Sequence, residues 1–535
     1  MSMTQADSNR LSSSTVLAIV AMSLCIFVVA NDFVAMSVAL PRMEAELNSD
    51  VSLLQWVINA YAVVVGVMIV PGGRLADMYG RLRLLYIGTG IFALFSLVGG
   101  LAPDVYSLIV ARGLQGIGGA LMWPAILGLI YQILPAAKAG LAGGLVIGVA
   151  GIGNATGPLI GGALTELASW RWILLINVPI AAIAMFVTWR CVKVEAPSDR
   201  EKIDYWGTLL LAVTLFSLLI ALTEAPDLGW SDPRVWGLLL VSGVAMVLFV
   251  IRERQAGDAA LIPGSVMGRR PFLVACLAVL AMSTTFFGAL LYLPQYFEKI
   301  FDLNPLAAGA ALLPFMAVFA VASFAQSWLI GRIGMKAVIS FGAVCMFLGP
   351  TLLALVIQPE SSYLAFLPGM IILGIGVGLF YSAVTTAALT ALEPSMSSLA
   401  GGLVYLFQIA GGAVGLGITT TIFLAAANAG IGDGAQQIGI SLSGNEIEAI
   451  RGVIVGTDIS TDVTQKYSGT TGEQLVEVVR VAFADGVKLA FGFNAIMAFI
   501  GMLIALFAVA GPINRIGRDI GELGEADTDQ SEHSA

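Results

Sequence analysis

Asp32 and Arg112 are the two residues whose chemistry is hardest to reconcile with their surroundings. Between Val28 and Leu40 only Asn31, Asp32 and Ser37 are polar, and "LIVARGLQGIGGA", residues 108–120, holds Arg112 in an otherwise uncharged stretch. Removal from water favours the neutral form of a carboxyl group, and a nearby cation favours the charged form. An acid held between these influences can take up a proton on one side of a barrier and release it on the other. Arg112 is the natural modulator of such a site. The plainer alternative is a purely architectural acid that pairs with Arg112 or caps a neighbouring helix.

Other chemistries find little footing. No G-x-x-x-x-G-K-S/T phosphate loop is present, so the chain alone is not a nucleotide-driven pump. The single histidine, His533, lies close to the C-terminus. That excludes a buried histidine relay and a His-ligated metal site in the apolar part. Neither cofactor nor metal is expected, and the lack of an apolar-region histidine argues against an integral-membrane enzyme. Glu166, Glu298 and Asp302 read as solvated helix ends. Asn59, Tyr61, Asn154, Gln295, Tyr405 and Gln408, with the aromatic Phe286 and Phe287, are candidates to line a cavity. An apolar, aromatic cavity with one acid suits bulky lipophilic or cationic compounds.

Such side chains need a scaffold that keeps them from water. The chain is 58% hydrophobic and 11% charged, against about 25% charged in soluble domains. Its net charge of −9 is no nucleic-acid signature, and the acidic tail at 512–535, which holds much of it, is expected to be disordered. Fourteen apolar runs are long enough to span a bilayer: 15–40, 52–73, 83–102, 106–128, 140–162, 170–190, 203–223, 234–252, 271–294, 305–328, 334–356, 361–386, 400–425 and 487–511. They predict an all-α polytopic membrane protein with 14 transmembrane helices. Of the 26 Lys and Arg residues, 17 fall in segments on one side and 4 in short loops on the other. That bias puts both termini in the cytoplasm. Residues 472–491 read as a helix running into the last span.

The chain also repeats. "LAGGLV" occurs at 141–146 and at 399–404, an offset of 258. The same offset aligns Gly73-Arg74-Leu75 with Gly331-Arg332-Ile333, and Gly116-Ile117-Gly118 with Gly374-Ile375-Gly376. The expected division is an N-terminal six-helix half at 1–190, two inserted helices at 191–270, and a C-terminal six-helix half at 271–511 that includes an outer loop at 426–486. Duplicated six-helix halves are a transporter design. The counterpart of Arg112 is Met370, as expected if Arg112 has a task that only one half performs.

Two further motifs stand on loops and helix faces. "GGRLADMYGRLRLLYIG", residues 72–88, sets Gly73, Asp77, Gly80, Arg81 and Arg83 in a tight turn between two spans. "GIGNATGPLIGG", residues 151–162, spaces Gly153, Gly157 and Gly161 four apart, a smooth face for close helix packing. Pro158 beside them removes a backbone donor.

Together these residues resemble the major facilitator superfamily. The loop matches its G-x-L-A-D-x-x-G-R motif, although Met78 and Leu82 stand where basic residues are usual. Arg112, Gln115, Gly116 and Gly118 match R-x-x-Q-G-x-G. Gly153, Gly157, Pro158, Gly161 and Gly162 match the antiporter motif G-x-x-x-G-P-x-x-G-G. "NDFVAMSVALP" and "WRWILLINVP", residues 170–179, look like signatures of the 14-helix drug:proton antiporters of EmrB/QacA type. The resemblance implies proton-coupled export of lipophilic or cationic drug-like compounds, with residues 73–83 as a gating loop. The alternative on the same scaffold is an exporter or flippase of an endogenous lipid or secreted metabolite. Implied partners are a small-molecule or lipid substrate, protons and membrane lipids, with no nucleic acid. The implied setting is a monomer in the bacterial inner membrane.

Overall fold

A computed structural model of the chain describes residues 12–47, 49, 51–134, 141–192, 204–257, 260–440, 442 and 470–509. Among them there is no strand, and 14 helices are long and apolar enough to cross a membrane. The chain is a multi-pass membrane protein. Helices are the natural solution here, because lipid offers no partner to a backbone N–H or C=O. The first six are α1 (Ser13–Leu47), α2 (Val51–Tyr79), α3 (Arg81–Gly100), α4 (Val105–Ile133), α5 (Leu141–Leu167) and α6 (Arg171–Cys191). Then come α7 (Tyr205–Leu228) and α8 (Pro233–Ala256). The last six are α9 (Arg270–Ile300), α10 (Leu313–Ile333), α11 (Met335–Val356), α12 (Tyr363–Thr390), α13 (Ser397–Gln437) and α14 (Thr470–Ile504).

Most helices run several residues past the expected apolar runs, and three spans differ more, each for a local reason. α6 is built of Arg171–Leu175 and Asn177–Cys191, because Pro179 has no N–H to offer the Leu175 carbonyl. The run expected at 305–328 divides into Pro305–Ala311 and α10, because Pro314 likewise leaves the Ala310 carbonyl without its donor. The run expected to stop at 425 continues to Gln437, so α13 has 41 residues and is about 60 Å long at 1.5 Å per residue. The stretch 426–486 is therefore helical at both ends. There α13 and α14 run side by side: a Cβ on Gly434 would stand 2.5 Å from Val478, and one on Gly430 3.0 Å from Ala482. Residues 443–469 and the tail at 512–535 lie outside the described residues.

One packing pattern occurs twice. α1 packs on α5 and α6, α2 on α4, and α3 on α4; α9 packs on α13 and α14, α10 on α12, and α11 on α12. Across the two sets α2 meets α13 and α5 meets α10, while α7 lies on α8, α2 and α13. The repeated glycines sit where backbones touch. A Cβ on Gly116 would be 2.9 Å from the Tyr61 carbonyl oxygen, and one on Gly374 2.6 Å from that of Phe315. A Cβ on Gly118 would be 2.7 Å from the Gly88 carbonyl oxygen, and one on Gly376 2.5 Å from the Met346 nitrogen. The two LAGGLV segments face across the molecule, with Gly144 against the Ser323 carbonyl of α10 and Gly402 against the Ile69 carbonyl of α2. Opposing backbone cannot swing aside, so these sites admit hydrogen only.

The helix-5 glycine face packs on α1. Cβ atoms at Gly153, Gly157 and Gly161 would stand 2.8 Å from the Phe27 carbonyl, 2.8 Å from Val34 and 2.5 Å from the Ala35 carbonyl. Gly161→Leu is therefore expected to lower the thermal unfolding midpoint in detergent by about 5 °C or more. Gly90→Leu, where no atom lies within 4 Å, should leave it unchanged. Equal midpoints for the two variants would contradict this packing.

Candidate functional site

Asp32 and Arg112 meet in the interior, and neither side chain is exposed at all. Arg112 Nη1 donates to Asp32 Oδ2 and also to Gln115 Oε1 at 2.6 Å, while Nε donates to the Val57 carbonyl at 3.0 Å. The guanidinium lies over the Tyr61 ring, 4.5 Å from its centroid. The other carboxylate oxygen, Oδ1, accepts from Asn177 Nδ2 at 2.8 Å and from Gln115 Nε2 at 3.4 Å. Ser96 Oγ accepts from the same two amides, at 3.4 and 2.7 Å. Five helices, α1, α2, α3, α4 and α6, thus share one network around the acid, and each hydrogen-bond partner of the carboxylate among the described residues, from α4 and α6, is a donor. Such a shell matches a charged carboxylate. Arg112 Nη2 and the Tyr61 hydroxyl are buried without a hydrogen-bond partner among the described residues.

A second cluster joins the α2–α3 turn to the start of α13. Gly80 adopts φ 98°, a conformation glycine tolerates, and this allows the chain to reverse directly into α3. Asp77 accepts from the Ser398 and Leu399 backbone nitrogens at 3.2 and 2.8 Å, satisfying free donors at a helix N-terminus. Arg81 donates to Asp77 Oδ1 at 2.9 and 2.8 Å, and reaches the Pro394 carbonyl at 2.5 Å. Its other nitrogen contacts the Gly128 carbonyl and Gln132 Oε1, both at 3.3 Å. Gly73 permits the crossing, since a Cβ there would be 2.7 Å from the Ser398 carbonyl. Arg83 is exposed and outside this cluster.

Next to the acid, Asn31 Nδ2 donates to the Gly153 carbonyl and to Thr156 Oγ1, both at 3.2 Å. The Asp32 segment of α1 is therefore tied to the glycine face of α5. Farther along α5, Pro158 and Gly162 face the 305–311 helix: a Cβ on Gly309 would be 2.5 Å from Pro158, and one on Gly162 3.1 Å from Leu306.

The residues proposed to line a cavity fall into different settings. Tyr61 belongs to the Asp32–Arg112 cluster. Phe286 is buried among Phe287, Phe319 and Tyr381, with ring centroids 5.3, 5.9 and 6.0 Å away. Tyr405 of α13 stacks on Trp123 of α4 at 4.4 Å. Asn59, Asn154, Gln295 and Gln408 are half-buried and form no side-chain hydrogen bond with a described residue. Sequence reasoning gave no role to Asn177, Ser96 or Trp123. Asn177 lies inside the "WRWILLINVP" stretch, whereas a lone serine in an apolar helix carries no sequence signal.

Comparisons agree with this architecture. The family model of the Major Facilitator Superfamily matches residues 22–416. Multidrug resistance protein Stp of Mycobacterium tuberculosis (strain CDC 1551 / Oshkosh) is 30% identical over 410 residues, covering 76% of each chain. The puromycin resistance protein of Streptomyces alboniger is 33% identical over 413 residues, 76% of this chain and 81% of the relative. The tetracenomycin C resistance and export protein of Streptomyces glaucescens is 26% identical over 505 residues, 91% of this chain and 90% of the relative. On the match to its family model across most of the length, this chain belongs to the Major Facilitator Superfamily.

Proposed function

We propose that this protein is a secondary active transporter, and no enzyme, that exports lipophilic or cationic drug-like compounds in exchange for protons. The observation that carries the reading is the fully buried Asp32–Arg112 pair, ringed by donors that favour the charged acid. A proton reaching Asp32 from outside neutralises the acid and frees Arg112 from its partner. A cationic substrate favours the opposite state, so proton and substrate exclude one another. The relatives named for multidrug, puromycin and tetracenomycin C resistance support the substrate class. The word export in the tetracenomycin C relative also supports the second reading, a secreted metabolite made by the cell itself.

In this reading both termini lie in the cytoplasm of a bacterial inner membrane, and the chain works as a monomer. The six-helix halves at 1–190 and 271–511 rock about the substrate. The Asp77–Arg81 cluster holds the cytoplasmic ends of α2 and α13 together while the cavity faces outward. Asn59, Asn154, Gln295 and Gln408 have unused hydrogen-bonding capacity suited to substrate contacts. A pH gradient supplies about 1.4 kcal/mol per unit for each proton. The membrane potential adds about 2.3 kcal/mol per 100 mV only where net charge moves, so exchange of one proton for one monovalent cation draws on the pH gradient alone.

Two experiments test this. Asp32→Asn keeps size and shape but cannot exchange a proton. In proteoliposomes it should abolish uphill ethidium transport driven by an imposed pH gradient, and Asp32→Glu should retain part of it. Uphill transport by well-folded Asp32→Asn protein would overturn the assignment and move attention to Glu298 and Glu166. Asp77→Ala removes the cap on α13. It should reduce transport about tenfold or more, since it deprives buried donors of their partner. It should also expose Ser398→Cys, in a cysteine-free background, to a membrane-impermeant maleimide added on the cytoplasmic side. Unchanged labelling would count against a gating role.

A further inference from the structure

We propose that Asn177 and Ser96 are positioning residues of the proton site. Asn177 donates directly to the Asp32 carboxylate, and Ser96 is the shared acceptor that aims both amides at it, so helices α3 and α6 sense whether Asp32 carries a proton. The inference rests on the reading of Asp32 as the proton-binding acid.

The orientation of each side chain follows from its partners. Gln115 Oε1 accepts from the Arg112 cation at 2.6 Å. Its NH2 group must then face the other way, toward Ser96 Oγ at 2.7 Å and Asp32 Oδ1 at 3.4 Å. Asn177 meets a carboxylate that accepts only, so its NH2 group is the end 2.8 Å from Oδ1, and its second contact is Ser96 Oγ at 3.4 Å. Ser96 is wholly buried and Asn177 nearly so, so water does not compete for these bonds.

Pro179 sets where Asn177 sits. The break it makes in α6 leaves Asn177 as the first residue of the second segment, beside Ile176. The titratable groups facing Asp32 are Arg112 from α4 and Tyr61 from α2. α3 and α6 present the neutral Ser96 and Asn177, and Asn31 of α1 turns to α5 instead.

The consequence is directional. A hydrogen bond to an ionised acceptor is roughly twice as strong as one between neutral groups. With Asp32 charged, α6 is tied to α1 through Asn177. With Asp32 protonated, that tie weakens, and the carboxyl brings a donor into a shell already composed of donors. Arg112 anchors the acid in charge, whereas Asn177 and Ser96 make its state felt on α3 and α6.

The test uses purified full-length protein and ethidium as the probe, with the pH midpoint of ethidium binding as readout. Loss of a donor to the charged acid favours the protonated form. Asn177→Ala should therefore move the midpoint upward by about half a unit or more, a roughly threefold change in proton affinity. Ser96→Ala should move it the same way by less, and Asn177→Ser, which keeps a donor, should restore part of the shift. The double variant Asn177→Ala/Ser96→Ala should shift less than the sum of the singles, because both act through one network. If Asn177→Ala folds poorly, Ser96→Ala and Asn177→Ser carry the comparison. Weaker binding at every pH with an unmoved midpoint in these variants overturns the inference. A midpoint in Asp32→Asn equal to that of the wild type overturns instead the reading on which it rests.

Discussion

Placing an acid and a base where water cannot reach them imposes the strictest condition on this chain. Each ion gives up several kcal/mol of hydration even after relaxation. The loss is recovered only if the geometry of the pair is good and the remaining hydrogen-bonding positions are filled. Here Val57 and Gln115 accept from Arg112, Asn177 and Gln115 donate to Asp32, and Ser96 holds the two amides, while Arg112 Nη2 has no partner among the described residues. That requires five helices to approach closely at one level, which is why glycines follow Arg112. Gly116 lets α4 touch the α2 backbone near Tyr61, and Gly118 lets it touch α3 at Gly88. A side chain at either position would push Val57 or Ser96 out of reach. The motif thus combines a charge with the close packing that makes the charge tolerable. Removing one member of such a pair costs about 3–5 kcal/mol, so folding controls accompany every substitution here.

The same economy of small residues connects the acid to the contacts between the two helix sets. Asn31, the neighbour of Asp32, holds the Gly153 carbonyl of α5. At its other end α5 brings Gly143 and Gly144 against α12 and α10. On the opposite side Gly401 and Gly402 of α13 press on α4 and α2, and Asp77 caps the start of that helix. In the proposed cycle, neutralising Asp32 loosens α1 and α6 around the site, and α5 carries the disturbance to the crossing. Close backbone packing favours discrete rearrangement over gradual deformation, as alternation between two access states requires.

Much of this was legible in the sequence, for physical reasons. Twenty apolar residues in a row have few alternatives to a spanning helix, so the fourteen helices could be counted. Two expected runs are broken, at residues 176 and 312, and a third, expected to stop at 425, reaches 437. The first two breaks lie three and two residues before a proline, inside otherwise uniform apolar runs. The third is a helix that outruns its apolar stretch because α14 covers it with Val478 and Ala482. Asp32 and Arg112 announced themselves through the cost of burying charge. Asn177 and Ser96 did not, because neutral polar residues in a membrane helix are common and only the tertiary structure tells which of them meet an acid. The candidate cavity residues were chosen by polarity and aromaticity alone. Those criteria cannot separate Phe286, packed among rings, from Gln408, whose side chain forms no hydrogen bond with a described residue.

The most direct test of the proton-exchange account is the number of protons that purified protein releases when substrate binds. In weakly buffered detergent solution, addition of saturating ethidium near the pH midpoint of binding should release a substantial fraction of one proton per wild-type molecule, followed with a pH indicator. Folded Asp32→Asn protein, checked by its thermal unfolding transition, should release none. Equal release from both proteins would contradict the central claim that Asp32 is the group that exchanges its proton for substrate.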